Sequence, residues 1–179
     1  MDIQTLIQIY FADQKAQQEE LDRIQRRSTN IDQLRMITQR FIAKQTNLET
    51  FRTELETELR AGEDWGATGP GFLMGLNQLI KNHQDNSHDM EEHLRNILTG
   101  LNATNLGSRI EQWYDFLLNE RARLRQIGKG NVAMAAGNSA FFLSVFAAWL
   151  DPTNQPDIYY LSLREGLYKL GPVCKSLLN

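Results

Sequence analysis

Between residues 31 and 59 apolar side chains return every three or four positions, at Leu34, Ile37, Phe41, Leu48, Phe51 and Leu55. That period is helical, since side chains of a strand alternate every two residues and a helix turns once in 3.6. Leu34, Phe41, Leu48 and Leu55 recur at intervals of seven, so one helix carries them as a single stripe with gaps at Lys44 and Glu58. Left in water, such a stripe is a long apolar surface, and the chain must supply something to cover it.

The preceding segment is the nearest candidate. Ile3, Leu6, Ile7, Tyr10 and Phe11 form a dense apolar end, after which only Leu21 and Ile24 continue the face through a Gln/Glu-rich middle. Ser28-Thr29-Asn30 reads as the joint between two helices, and a joint this short sets them side by side as an antiparallel hairpin over residues 1–61. The stripe on the second helix runs about 32 Å at 1.5 Å per residue, longer than the dense part of the first helix can cover. Part of the face bearing Leu34, Phe41, Leu48 and Leu55 is therefore expected to meet a second copy or partner helices, and the hairpin reads as a scaffold or dimerisation arm.

At Ala61 the character changes, because residues 61–71 concentrate four of the twelve glycines and mark a loop and a module boundary. Gly66 and Gly71 match the glycine spacing of a phosphate-binding loop, but Phe72-Leu73 follow where Lys and Ser/Thr are needed for phosphate and Mg²⁺. Residues 62–179 then read as a helical bundle. Phe72 to Ile80 and Met90 to Leu101 give short amphipathic helices, with Ser87 as a start and Gly100 as an end. Leu106 to Ile127 gives a longer one between Thr104 and Gly128. Phe141 to Leu150 is apolar on every side and belongs at the centre of a core, capped by Asn138 or Ser139 and stopped by Asp151-Pro152. Ile158 to Leu161 reads as extended, and Ser162 with Glu165 as a capping box reopening a helix. The fold class is all-α: a long antiparallel helical hairpin plus a compact helical bundle.

Residues 132–150 are the one stretch apolar enough to weigh as a membrane span, yet a helix starting at Asn138 leaves about 12 residues, roughly 18 Å against a hydrocarbon core of about 30 Å. No membrane contact is expected. The first residues lack the basic start of a secretory signal, and one cysteine, Cys174, excludes an internal disulfide, so the reading is cytoplasmic. A net charge of −3 argues against a uniformly basic coat. The charge is split, however: residues 1–100 hold 11 Lys+Arg against 16 Asp+Glu, and residues 101–179 hold 8 against 6. The second half is the place for an anion-binding surface.

Catalytic chemistry finds little support. His83, His88 and His93 stand five residues apart, which turns about 140° on a helix and keeps them from sharing a face, in a segment that reads as a solvated helix start. Their i,i+4 partners Glu92 and Asp89 offer only pairs of ligands; no metal, no cofactor and no catalytic residue is expected. Cys174 has no histidine within eighty residues, and Ser139 and Ser144 lie in an apolar helix where a hydroxyl bonds back to the preceding turn. The notable polar feature is basic. Arg121, Arg125 and Lys129 recur at i,i+4 with Arg123 between them, and guanidinium forks suit phosphates, although cations near a helix C-terminus also complement its dipole. These four residues are the candidate contacts to DNA; Trp65, Trp113, Trp149, Tyr114, Tyr159 and Tyr160 are available to stack on bases but are more commonly core residues.

The run Ser139 to Pro152 followed by Pro156 to Leu167 resembles a segment in the N-terminal regions of bacterial McrB-like AAA+ restriction and defence proteins, as does Gly69-Pro70-Gly71-Phe72-Leu73-Met74-Gly75-Leu76-Asn77-Gln78-Leu79. The likeness covers about a third of the chain and consists of hydrophobic pattern; no Walker A, Walker B or nuclease motif occurs in the 179 residues. It implies a non-catalytic target-recognition or regulatory module of a defence NTPase whose motor lies in other residues. The alternative expectation is a coiled-coil interaction or assembly adaptor.

Overall fold

The stripe of residues 31–59 folds back on itself. In the computed structural model, which describes residues 14–62, 65, 67–68, 71–82, 87–129, 134–154 and 158–159, α1 spans Gln14–Ile42 and α2 spans Leu48–Gly62. The expected joint at Ser28-Thr29-Asn30 is helix interior. The Ser28 and Thr29 hydroxyls donate to the carbonyls of Gln25 and Arg26, at 2.6 and 2.7 Å, and so satisfy themselves within the preceding turn instead of capping a new helix.

The reversal comes at Ala43–Asn47, where the stripe had its gap. Lys44 takes a left-handed φ of 61°, its N–H reaching the Phe41 carbonyl and that of Gln45 the Arg40 carbonyl. This is the Schellman closure, built on a lysine where glycine is usual. The Asn47 side chain then accepts the Thr50 N–H at 2.8 Å and caps α2. Leu34 and Phe41 on α1 now face Leu48, Phe51 and Leu55 on α2, all 5% exposed or less, with the Phe41 and Phe51 rings stacked at 4.1 Å.

Four further helices complete the described chain: α3 (Leu73–Asn82), α4 (Ser87–Leu98), α5 (Leu106–Gln126) and α6 (Ser139–Leu150), the last entered through a 3₁₀ turn at Ala136–Asn138. The described residues contain no strand. Gly100 and Gly128 end α4 and α5 with φ of 68° and 75°, conformations that favour glycine at a helix C-terminus. Six helices pack into a compact bundle around α6, whose Phe142, Leu143, Val145, Phe146, Ala147 and Trp149 are fully buried. Its 12 residues are a core helix, and no helix among the described residues is long and apolar enough to cross a membrane.

One apolar core crosses the expected boundary at residues 61/62. Phe51 of α2 lies 6.1 Å from Phe146 of α6. Two indoles tie the loop and α6 to α1: Trp65 Nε1 donates to Asn30 Oδ1 at 3.0 Å, and Trp149 Nε1 to Thr38 Oγ1 at 2.9 Å, with the two rings edge to face at 5.5 Å. Arg35 of α1 adds a bond to the Trp149 carbonyl at 2.8 Å. Gly71 has a packing reason, since a Cβ there would stand 2.9 Å from the Phe141 ring of α6. Both serines of α6 behave as expected, Ser139 donating to the Ala136 carbonyl and Ser144 to that of Phe141. Ile158 and Tyr159 have no regular structure, Tyr159 N–H bonding to Ser144 Oγ. Residues 1–13, with the dense apolar end, and Tyr160 onward, with the capping box and Cys174, lie outside the described residues.

Candidate functional site

Helix α5 buries Leu106, Trp113, Leu117 and Leu124 along one side. At about 100° per residue, Tyr114, Leu118, Arg121 and Arg125 fall within about 60° of arc on another side, and all four are exposed. The result is an outward stripe, apolar in its first half (Tyr114 41% and Leu118 42% exposed) and cationic in its second. Among the described residues Arg121 and Arg125 make no hydrogen bond or ion pair through their guanidinium groups.

The four expected basic contacts separate. Arg121 and Arg125 share the stripe and Lys129 stands exposed just past its end, where the Lys129 N–H closes on the Leu124 carbonyl at 2.7 Å and that of Gly128 on Arg125. This Schellman closure fixes the direction in which the chain leaves α5. Arg123 lies on a different side of the helix and grips Glu120 through Nε and Nη2, at 2.9 and 2.6 Å. Its charge is neutralised locally, and Glu120 is thereby drawn to Arg123 instead of the stripe. The basic edge is thus Arg121 and Arg125, about 6 Å apart along the axis, with Lys129 exposed just past the end of the helix.

The other expected surface, the face bearing Leu34, Phe41, Leu48 and Leu55, is interior. The four are 0, 0, 5 and 0% exposed, because the turn at Ala43–Asn47 makes each half of the stripe the cover of the other. None of them is offered to a second copy. The large apolar side chains that α1 does expose are Leu21, Ile24 and Met36.

Two polar constructions were not singled out by sequence, and a third, at His93, differs from its reading there. Arg95 of α4, 7% exposed, donates to the carbonyls of Phe41 and Thr46, both at 2.8 Å, lies over the Phe41 ring and pairs with Glu91. Glu91 in turn accepts the first amide of α2, that of Leu48, at 2.9 Å. One ion pair on α4 therefore clamps both ends of the α1–α2 turn. Asp151, at the end of α6, accepts the Ala103 N–H at 2.9 Å and two contacts from the Asn154 amide, and these bonds hold its carboxyl below the ordinary value. His93, expected on a solvated helix start, is instead half-buried and stacked on Phe116 at 3.8 Å, with Trp113 at 5.9 Å. Burial depresses its pKa, and neither His93 Nε2 nor Trp113 Nε1 has a hydrogen-bond partner among the described residues.

No three His, Cys, Asp or Glu side chains come together as a metal site among the described residues; His83 lies outside them. Trp65, Trp113 and Trp149 are buried core, while Tyr114 and Tyr159 are exposed. Comparison with protein-family models, with curated proteins and with solved structures found no match.

Proposed function

We propose that the chain is a non-catalytic recognition or regulatory module that contacts DNA phosphates through the basic end of α5, serving an NTPase motor carried by other residues, as the McrB-like resemblance implies. The observation that carries the reading is the pair Arg121 and Arg125, two exposed guanidinium groups side by side without a carboxylate partner among the described residues, extended by Lys129. Cations near a helix end complement its dipole whether or not a ligand is present. What favours a ligand is the pairing pattern: Glu120 is spent on the arginine that faces away, leaving the outward pair uncompensated.

Charge reversal tests it. With Arg121→Glu and Arg125→Glu combined, affinity for a short duplex at low salt should fall by more than tenfold for every sequence alike, since phosphate contacts position and do not specify. Both side chains are exposed, so the chain should stay folded, with the unfolding midpoint lowered only by what acidic groups near a helix C-terminus cost, about 0.3–1 kcal/mol each. Duplex binding that survives the double reversal removes α5 from the interface.

A second reading, a helical interaction or assembly adaptor, is favoured by exposed Leu21 and Ile24 on the first half of α1.

A further inference from the structure

Counted from Leu118, the charges of α5 mirror one another with opposite sign. Glu111 and Asp115 stand seven and three residues before it, and Arg121 and Arg125 three and seven residues after it. At about 100° per residue, Glu111 and Arg125 fall about 20° to either side of Leu118, and Asp115 and Arg121 about 60° to either side, so all five share one face of about 120°. Tyr114 and Ala122, four residues before and after Leu118, lie on the same face. All seven residues are exposed, Tyr114 by 41% and Leu118 by 42%. Glu111, Asp115, Arg121 and Arg125 make no hydrogen bond or ion pair through their charged groups among the described residues. The remaining charges of the helix up to Arg125 are engaged elsewhere, Arg109 with the carbonyls of Asn96 and Thr99 and Glu120 with Arg123.

We propose that this face of α5 pairs with the same face of a second copy, antiparallel, about a two-fold axis at Leu118. The axis sets Leu118 against Leu118 and the Tyr114 ring against Ala122, whose methyl leaves room for it. It also brings Glu111 opposite Arg125 and puts Asp115 level with Arg121, and each of these contacts occurs twice because the interface is isologous and closes as a dimer. A parallel pair would set Glu111 against Glu111 and Arg125 against Arg125, and like charges held together repel. The charge order therefore selects both a second copy of this chain and its direction. From Glu111 to Arg125 the contact is about 21 Å long. With two large apolar side chains per copy it is smaller than a permanent interface, and its dissociation constant belongs on the order of 100 µM. The inference goes beyond the phosphate reading and does not rest on it, but both engage Arg121 and Arg125, so duplex and a second copy compete for one edge of α5.

Sedimentation equilibrium of the full chain, from about 10 µM to about 1 mM around the expected dissociation constant, tests it. The wild type should fit a monomer–dimer equilibrium that weakens with salt, since the pairs are at the surface. Glu111→Arg should raise the dissociation constant about fivefold or more, and Glu111→Arg combined with Arg125→Glu in the same chain should return it to within about twofold, because the exchange restores both pairs. Leu118→Glu sets two carboxylates at the axis and should abolish the dimer with helicity unchanged; if that substitution unfolds the chain, the charge exchange decides. A wild type that stays monomeric, a dimer indifferent to Glu111→Arg, or an exchange that fails to restore association overturns the proposal. A monomer that binds duplex overturns this inference and leaves the phosphate reading standing. A chain that dimerises at high concentration, yet binds no duplex when diluted to monomer at low salt, supports this inference and removes the phosphate reading.

Discussion

Arg95 is the residue on which the α1–α2 turn depends, because its guanidinium bonds the Thr46 carbonyl and adds a second bond to the Phe41 carbonyl, which also accepts the Lys44 N–H. Removing it strands the Thr46 carbonyl and leaves Glu91 without its ion-pair partner. Arg95→Ala should cost about 3 kcal/mol by urea unfolding, and Arg95→Lys should recover less than half, since a point charge cannot span Phe41 and Thr46. Lys44 is the opposite case. Its left-handed backbone is strained by about 1 kcal/mol, while its exposed pair with Glu92, at 2.9 Å, contributes a few tenths. Lys44→Gly should therefore stabilise by about 0.5 kcal/mol, read as a higher urea midpoint. Neither role was legible in the sequence. Glu91 and Arg95 at i,i+4 look like any exposed helix pair, and the structure alone shows which carbonyls lie beneath them.

At the scale of elements, periodicity located the helices from Phe72 to Leu150 closely but could not say where the first long pattern turned. The same 3.5-residue recurrence is produced by one straight helix or by two that fold together, and Ser28-Thr29-Asn30 carried a stronger local turn signal than Lys44-Gln45-Thr46-Asn47. Asn47 followed by Thr50, with Glu49 in the first turn, was the available clue. Leu48→Glu consequently tests folding and not association: burying that carboxylate should abolish the cooperative unfolding transition. The α4–α5 contact has a pH dependence of definite sign. His93 is held neutral by burial, so its folded pKa lies below the ordinary value near 6.5, and its stabilisation is present above that pH and is lost as pH falls through the folded pKa. Glu56, held down first by its hydrogen bond to Arg60, and Asp151, first by the Ala103 amide, add a second loss below the usual carboxylate range. Melting temperature should fall from pH 7 toward pH 5, and His93→Phe should flatten that first step; an unchanged profile in the variant would assign the step elsewhere.

Across the whole molecule, the described stretches Gly71–Leu76 and Ser139–Leu150, singled out in the sequence for their hydrophobic pattern, are packed on one another. Phe72 lies 5.2, 4.9 and 5.8 Å from Phe142, Phe146 and Trp149, and Gly71 abuts Phe141. The pattern is thus a core pattern and names no site. The basic edge was legible as an i,i+4 run, and helix phase already sets Arg123 about 200° from Arg121; what the structure adds is that Glu120 holds that side chain at 2.6 Å. The proposed contacts of Arg121, Arg125 and Lys129 with phosphates are read out in the salt dependence of duplex affinity, followed by fluorescence anisotropy. Three contacts predict a slope of log affinity against log salt near −2.7, at about 0.9 per phosphate, falling to about −1 in Arg121→Ala combined with Arg125→Ala. Absence of binding at low salt, or a slope that the double substitution leaves unchanged, would contradict the account.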